Sequence, residues 1–503
     1  MILRIRILLL SCICIFALAT SLQLSAQTTA DFRTAAERAL TAYDVPGFAV
    51  GIIKDGEIVM AEGFGTRTKG EDEPVDGNTL FAIASNTKAF ISTAIVKLHL
   101  EGKLDLDAPV RDYLPYFALY DDYVSNHMIV RDLLCHRAGL GTFSGDVIWY
   151  KSALSAEDVV RQVRHVPQAY EWRAGYGYSN LMFITAGEVI QAVTGQSWAE
   201  YVSEQFLSPL GMNRTQTSVT PLAKMDNVAT PHLTRHDNQA IPYANWDNMG
   251  AAGGIVSSVS DMLKWIGTQM AGGSSDGEEL FPKEVTDQTW RPHNALGNYK
   301  NFSSAGLGWF VSNREGHTIV GHGGGYDGMY SRVAMVPDQN LGIVILTNSM
   351  TGLSSSLGGF IIDSYLGRDT DKWLENAVAR QKRGQNAWDE RHQERLDARI
   401  ENTTASVSLE NYAGEYHDPM FGTINVIANG EQLRLEFATA PLLNANLSHW
   451  HYDTWEIKWD EPHAWFDFGT VQFQLNNNRE VTGLEFDVPN DDIFFHEIKA
   501  NKK

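Results

Sequence analysis

A chain of 503 residues is too long for one ordinary core and suits roughly two or three domains. With 44% hydrophobic and 20% charged residues, its composition is that of a globular protein and argues against disorder or a membrane bundle. A formal net charge of −21 argues against nucleic acid or anionic lipid as a partner, and mainly favours solubility.

Residues 1–26 read as a secretory signal peptide. Arg4 and Arg6 supply the positive start, Ile7 to Ala19 is almost wholly apolar, and Leu24-Ser25-Ala26 ends in a small residue. The chain is therefore expected to be exported, periplasmic or secreted, without stable membrane insertion after cleavage. An uncleaved anchor is the alternative. Cys12 and Cys14 fall inside this run, so Cys135 is left alone and an intramolecular disulfide is not expected.

Asp31 to Tyr43 reads as a helix. Phe48 to Ile53 and Glu57 to Ala61 flank Asp55-Gly56 and predict a hairpin. Thr87 to Leu100 is apolar on most faces, as a buried helix is. From about Asp105 to Leu280 helices and loops prevail, among them Ala156 to His165, Leu181 to Val193 and Ser260 to Met270. Strand patterns return at Thr318 to Val320, Tyr330 to Val336 and Leu341 to Thr347. Strands at both ends with helices between them predict one antiparallel sheet flanked by helices, with a helical subdomain packed against it. This α/β domain is placed at 31–370. A charged, weakly helical connector interrupted by Gly384 follows at 371–404. Short alternating runs over 405–503, at Thr423 to Ala428, Gln432 to Phe437, Trp455 to Trp459, Thr470 to Leu475 and Val481 to Val488, predict a small all-β domain, a lipocalin-like closed barrel.

The sharpest chemical pattern is Ser85-Asn86-Thr87-Lys88. A serine hydroxyl is a poor nucleophile until a base takes its proton, and residues three apart on a helix share a face. Burial and the positive helix end both depress a lysine pKa towards a useful base. A capping serine followed by a surface lysine is the plainer reading, yet Ser85 alone among the serines has lysine three residues on. Tyr178-Ser179-Asn180 opens another helix: a tyrosine there can relay a proton, and the Asn180 amide can hold a substrate carbonyl. Tyr243-Ala244-Asn245 matches the same pattern but leads into a Gly-Ala-rich turn. Gly321-His322-Gly323-Gly324-Gly325 follows a strand-like run, and consecutive glycines in a strand point to a backbone closely approached by something else. A substrate along this edge, met by His322 and Gly324, fits that reading. Backbone N–H groups of Ser85 and Gly325 would then form an oxyanion hole.

Taken in order, these motifs make the chain resemble the serine β-lactamase and penicillin-binding-protein family. The likeness is closest to its class C and carboxypeptidase, esterase and D-aminopeptidase branch. Leu133-Leu134-Cys135-His136-Arg137-Ala138-Gly139-Leu140 and Gly306-Leu307-Gly308-Trp309 fit as well. Tyr412-Ala413-Gly414-Glu415-Tyr416 resembles the barrel appended to some D-amino-acid-recognising peptidases of that branch. The resemblance implies Ser85 as nucleophile, Lys88 and Tyr178 as the proton-transfer pair, and Asn180 as a substrate contact. It implies no metal and no organic cofactor. His322 stands where β-lactamases of this family usually carry lysine, which favours a peptidase or esterase acting on D-amino-acid peptides or small esters over a β-lactamase. A non-catalytic penicillin-binding or cell-wall-sensing module is the alternative from another class. Asp105 and Asp107 read as turn residues, Cys135 as a buried thiol, and the tryptophans and histidines at 449–465 as packing and strand-surface residues.

Overall fold

The computed structural model describes residues 29–296 and 302–503. The signal-peptide expectation at 1–26 lies outside them. Helix α1 (29–43) leads into β1 (Gly47–Lys54) and β2 (Glu57–Gly65), the hairpin turning at Asp55-Gly56. Helices α2 (Thr87–Leu100), α3 (Asn180–Thr194) and α4 (Val259–Met270) belong to the long middle region. The chain then returns through β3 (Asn294–Ala295), β4 (Ser303–Ala305), β5 (Phe310–Arg314), β6 (His317–Tyr326), β7 (Met329–Val336) and β8 (Leu341–Thr347). All eight strands form one antiparallel sheet in the order β2-β1-β8-β7-β6-β5-β4-β3, so the N-terminal hairpin pairs with the last strand of the domain. Strands β3, β4 and β5 carry too few alternating apolar residues to announce themselves.

Period-two alternation explains why both sheet faces are buried. Phe48, Val50 and Ile52 of β1 and Ile343 and Ile345 of β8 face one cluster, shared with Phe32 and Ala36 of α1 and with Leu357 and Ile361 of α5 (Leu353–Tyr365). Ala49, Val344 and Leu346 face the other, where α2 and α4 pack and Phe90 stacks on Trp265 at 3.9 Å between ring centroids. Helix α2 is buried nearly all round. Gly308 makes that possible: a β-carbon there would lie 2.5 Å from the Lys88 carbonyl, so only glycine lets the strand-side loop reach the helix.

The connector differs from its expected weak helicity. Residues Trp373–Asp397 form one continuous helix, α6, running through Gly384. A mid-helix glycine costs about 1 kcal/mol. Tertiary contacts offset it: Leu374 and Ala377 are buried, Trp373 stacks on Phe360 at 4.5 Å, and the Arg235 guanidinium sits 4.2 Å from the Trp388 ring centre.

The C-terminal strands β9 (Gly414–Asp418), β10 (Gly422–Asn429), β11 (Gln432–Phe437), β12 (Ala445–His451), β13 (Thr454–Trp459), β14 (Thr470–Leu475), β15 (Val481–Asp487) and β16 (Lys499–Lys502) close into a barrel, with Tyr416 opposite Lys502 at the seam. Inward residues fill it, including Tyr412, Tyr416, Leu435, Phe437, Phe473 and Leu484. The barrel docks on the α/β domain. Gly145 N–H donates to Glu497 at 2.7 Å, Ala153 N–H to the Thr439 carbonyl at 2.7 Å, and Lys151 Nζ lies 2.8 Å from His463 Nδ1. Among the described residues, no helix is long and apolar enough to cross a membrane.

Candidate active site

Ser85 sits in a 3-10 turn, Ala84–Asn86, that feeds directly into α2. Ala84 enters it with φ +46°, a left-handed conformation that L residues with a β-carbon rarely adopt. The neighbouring strands hold this turn: Asn86 Nδ2 donates to Ser331 Oγ at 2.8 Å, and Ser331 Oγ donates to the Ile83 carbonyl at 2.7 Å. Gly324 lies against the same turn, where a β-carbon would come within 2.3 Å of the Ile83 carbonyl oxygen.

One helical turn on, Lys88 is fully buried, and its Nζ is 3.0 Å from Ser85 Oγ. It also donates to Asn180 Oδ1 and to the Ala252 carbonyl, each at 2.7 Å. Burial penalises the ammonium form and pulls its pKa down from 10.5 to about 7, against the opposing field of Asp146. The Tyr178 hydroxyl lies beside Ser85, and its ring centre is 4.9 Å from Lys88 Nζ. Burial holds Tyr178 well above its usual pKa, so it stays neutral.

The phrase at 133–140 explains how Tyr178 is held. His136 stacks under the Tyr178 ring at 4.3 Å, and its Nδ1 accepts from the Ser179 N–H at 3.2 Å. Asp132, wholly buried, anchors Arg137 at 2.6 Å and Arg173 at 2.7 Å on either side. Cys135 is buried, and burial pushes its thiol up to about 12, which leaves it unreactive. Asp107 pairs with Arg131 and Asp105 accepts from the Asp107 N–H, both in the turn after α2. Tyr243 lies elsewhere, its hydroxyl bonded to the Ala229 carbonyl at 2.9 Å.

Strand β6 forms the opposite wall. Its pairing with β5 ends at Gly321, opposite Phe310, so His322 to Tyr326 keep a ladder only with β7 and present a free edge to the cavity. His322 is buried with Nδ1 against the Gly323 carbonyl, and burial with nearby Lys88 depresses it to about 3. It is a neutral imidazole at ordinary pH. Ser85, Tyr178, Asn180, His322, Gly324 and Gly325 all line one cavity of about 510 Å³, and Lys88 lies behind Ser85.

A family model described as Beta-lactamase matches residues 32–361. The chain belongs to the beta-lactamase family. This beta-lactamase-family chain is 27% identical over 432 residues to an unguisins hydrolase, ungD', of Aspergillus campestris, covering 80% of this chain and 78% of that protein. It is 28% identical over 315 residues to protein flp of Staphylococcus aureus, covering 60% of each, so it spans less than two thirds of that relative. The octameric penicillin-binding protein homologue from Pyrococcus abyssi shares its fold, with a TM-score of 0.62, 21% identity, and coverage of 94% of this chain and 99% of that one. Residues 398–502 match a second model, described as a domain of unknown function, DUF3471. The family match and the hydrolase relative support a serine hydrolase in general.

Among the cavity-lining residues that the sequence did not assign to the site, Asp146, Arg332, Trp465 and Asp492 carry the polar chemistry. Asp146 accepts from Asn180 Nδ2 at 2.6 Å, and burial pushes its carboxyl up to about 8. Arg332 stands opposite Gly323 on β7, largely buried and without a carboxylate partner among the described residues. Trp465 and Asp492 come from the barrel. The placement of Trp465 corrects the reading of the tryptophans and histidines at 449–465 as packing and strand-surface residues: Trp465 Nε1 donates to Asp327 at 2.6 Å and its ring covers Gly325, while Trp455 and Trp459 do pack within the barrel domain. A tryptophan in an alternating β domain carries no sequence signal that separates these two roles.

Proposed function

We propose that this beta-lactamase-family chain is a hydrolase that forms a covalent acyl-enzyme on Ser85 and acts as a peptidase or esterase on D-amino-acid-containing peptides or small esters. The observation that carries this reading is the buried Lys88 amine, 3.0 Å from Ser85 Oγ and depressed to about 7, because a binding protein has no use for a neutral amine beside its serine. Lys88 takes the Ser85 proton as Oγ attacks the substrate carbonyl carbon. The carbonyl π pair moves onto oxygen, where the N–H groups of Ser85 and Gly325 stabilise it. Collapse of that intermediate breaks the bond to the leaving amine or alcohol, which receives its proton through Tyr178. Water then adds to the acyl carbon and releases Ser85.

The cavity supports this choice of substrate class. Trp465, Asp492 and Ile493 of the barrel wall one side of about 510 Å³, a volume suited to a short peptide or small ester rather than a polymer. The neutral His322 offers hydrogen bonds without a fixed charge. The relative named for unguisin hydrolysis is compatible with this choice. A second reading, a class C-like β-lactamase, is favoured by one observation: Arg332 supplies the permanent cation that His322 lacks, suited to a substrate carboxylate.

Both readings are tested by turnover of D-peptides, short-chain p-nitrophenyl esters and a chromogenic cephalosporin, with mass spectrometry of trapped protein. Ser85→Ala is expected to abolish turnover and adduct together. An adduct on a peptide lacking Ser85, or unaltered turnover in the alanine variant, refutes the assignment.

A further inference from the structure

We propose that Asp146 is a positioning residue that works through Asn180 to aim the Lys88 amine at Ser85 and to govern how readily that amine is freed of its proton. The proposal rests on Lys88 being the base, as read above.

A line of polar contacts runs from the back of the site to the nucleophile: Asp146 Oδ2 to Asn180 Nδ2 at 2.6 Å, Asn180 Oδ1 to Lys88 Nζ at 2.7 Å, and Lys88 Nζ to Ser85 Oγ at 3.0 Å. Every member but Ser85 is buried. An amide side chain can sit either way round, and here its partners decide. An ammonium donates only, so Asn180 turns its oxygen towards Lys88 and its NH₂ towards Asp146, whose carboxyl oxygen accepts in either protonation state. The Ala252 carbonyl is an acceptor as well, 2.7 Å from Nζ on another side. A neutral amine has two hydrogens and one lone pair. Two obligate acceptors claim the hydrogens, and the lone pair is left for the third neighbour, the Ser85 hydroxyl. Without Asp146, Asn180 is free to rotate and offer an NH₂ group to the amine, which disorders that arrangement.

The second effect is electrostatic. Lys88 faces Tyr178 and His322, with His136 stacked behind the tyrosine, and both imidazoles are held neutral by burial and by Lys88 itself. Asp146 is the acid that opposes Lys88 deprotonation. Asp146 in turn feels Lys88 and the barrel's Asp492, and Glu497 binds the N–H of the preceding Gly145. Its other oxygen, Oδ1, faces the Trp149 indole without a well-formed hydrogen bond, so no cation is bound directly to the carboxylate. Asp146 and Lys88 therefore titrate as a pair rather than singly.

Two substitutions separate these effects in the full chain, using kcat and KM for a short-chain p-nitrophenyl ester from pH 5 to 9. Asp146→Asn keeps an oxygen to accept from Asn180 and removes the charge. Its plateau kcat is expected within about threefold of wild type, with the acidic limb of kcat/KM moved to lower pH. Asp146→Leu removes the acceptor and is expected to lower kcat by about 10²-fold, the scale of a misdirected proton-transfer group, with KM little changed. An acidic limb unmoved in Asp146→Asn overturns the proposal even if Asp146→Leu fails to fold. So does an equal loss of kcat in both variants. A wild type with no Ser85-dependent turnover defeats the functional reading instead, an outcome distinct from either.

Discussion

Lowering the pH should switch the enzyme off along a curve set by Lys88. Burial depresses this amine to about 7, and on the proposed mechanism only its free base takes the Ser85 proton. The free-base fraction grows with pH, so kcat/KM is level above the Lys88 pKa and falls tenfold per pH unit below it. At pH 6 about one tenth of the plateau remains, and at pH 5 about one hundredth. Among the neighbouring groups Asp146, pushed up by burial to about 8 and linked to Lys88 through Asn180, titrates together with this amine, so the limb reports the pair. His136 lies well below 6.5 and His322 at about 3, so both stay neutral throughout, and Tyr178 is held well above 10. Asp492, raised by burial to about 7, shares the range but lies at the barrel side of the cavity, with no hydrogen bond to Ser85 or Lys88 among the described residues. Asp492→Asn is therefore expected to leave the limb within about half a pH unit, on the scale of a remote charge near a partly solvated site. The assay is initial-rate hydrolysis of a p-nitrophenyl ester at constant ionic strength, corrected for release of the chromophore. A flat profile from pH 5.5 to 8, or a limb that moves with Asp492, refutes the argument.

Lys88→Ala is expected to slow acylation by about 10²-fold or more while Ser85 remains labelled on long exposure, read by a fluorescent penicillin or fluorophosphonate. Arg332→Met should raise KM for carboxylate-bearing substrates by roughly 10- to 100-fold, the worth of a charge-assisted hydrogen bond, and leave neutral esters nearly unaffected; equal effects on both would remove Arg332 from substrate recognition. Trp465→Phe deletes the donor to the buried Asp327, whose other oxygen accepts from Tyr150 at 3.1 Å. A loss of about 1–3 kcal/mol in urea unfolding is expected, and an unchanged midpoint would show that the barrel is held by other contacts.

What could be read from the chain, and what could not, divides along one physical line. Ser85 and Lys88 are legible because both lie in one turn of one helix, where three residues of separation fix a shared face. Helix α2 was legible to the residue for the same reason, its burial being written in continuous apolar sequence. The glycines at 323–325 announced a close approach, which Gly324 makes against the Ile83 carbonyl. Tyr178 required a choice against Tyr243, and local loop chemistry was enough to prefer it. Arg332 belongs to the other side of the line. It reaches the cavity because the β6–β7 register sets it opposite Gly323, and an arginine in an alternating strand looks like any solvent-facing cation. Asp146 depends on a turn after Gly145, at φ +79°, that points a lone acid inward. Trp465 and Asp492 depend on how a whole second domain docks. The connector was misjudged in the opposite sense: Gly384 weakens α6 by intrinsic propensity, and packing of Leu374, Ala377 and Trp388 overrides it. The proposed nucleophile and its proposed base are thus written locally, whereas the other groups lining the cavity are supplied by pairing and docking. Substitutions that alter specificity should accordingly cluster in β7 and in the barrel loops that carry Trp465 and Asp492. Substitutions that abolish chemistry should cluster at the start of α2 and α3.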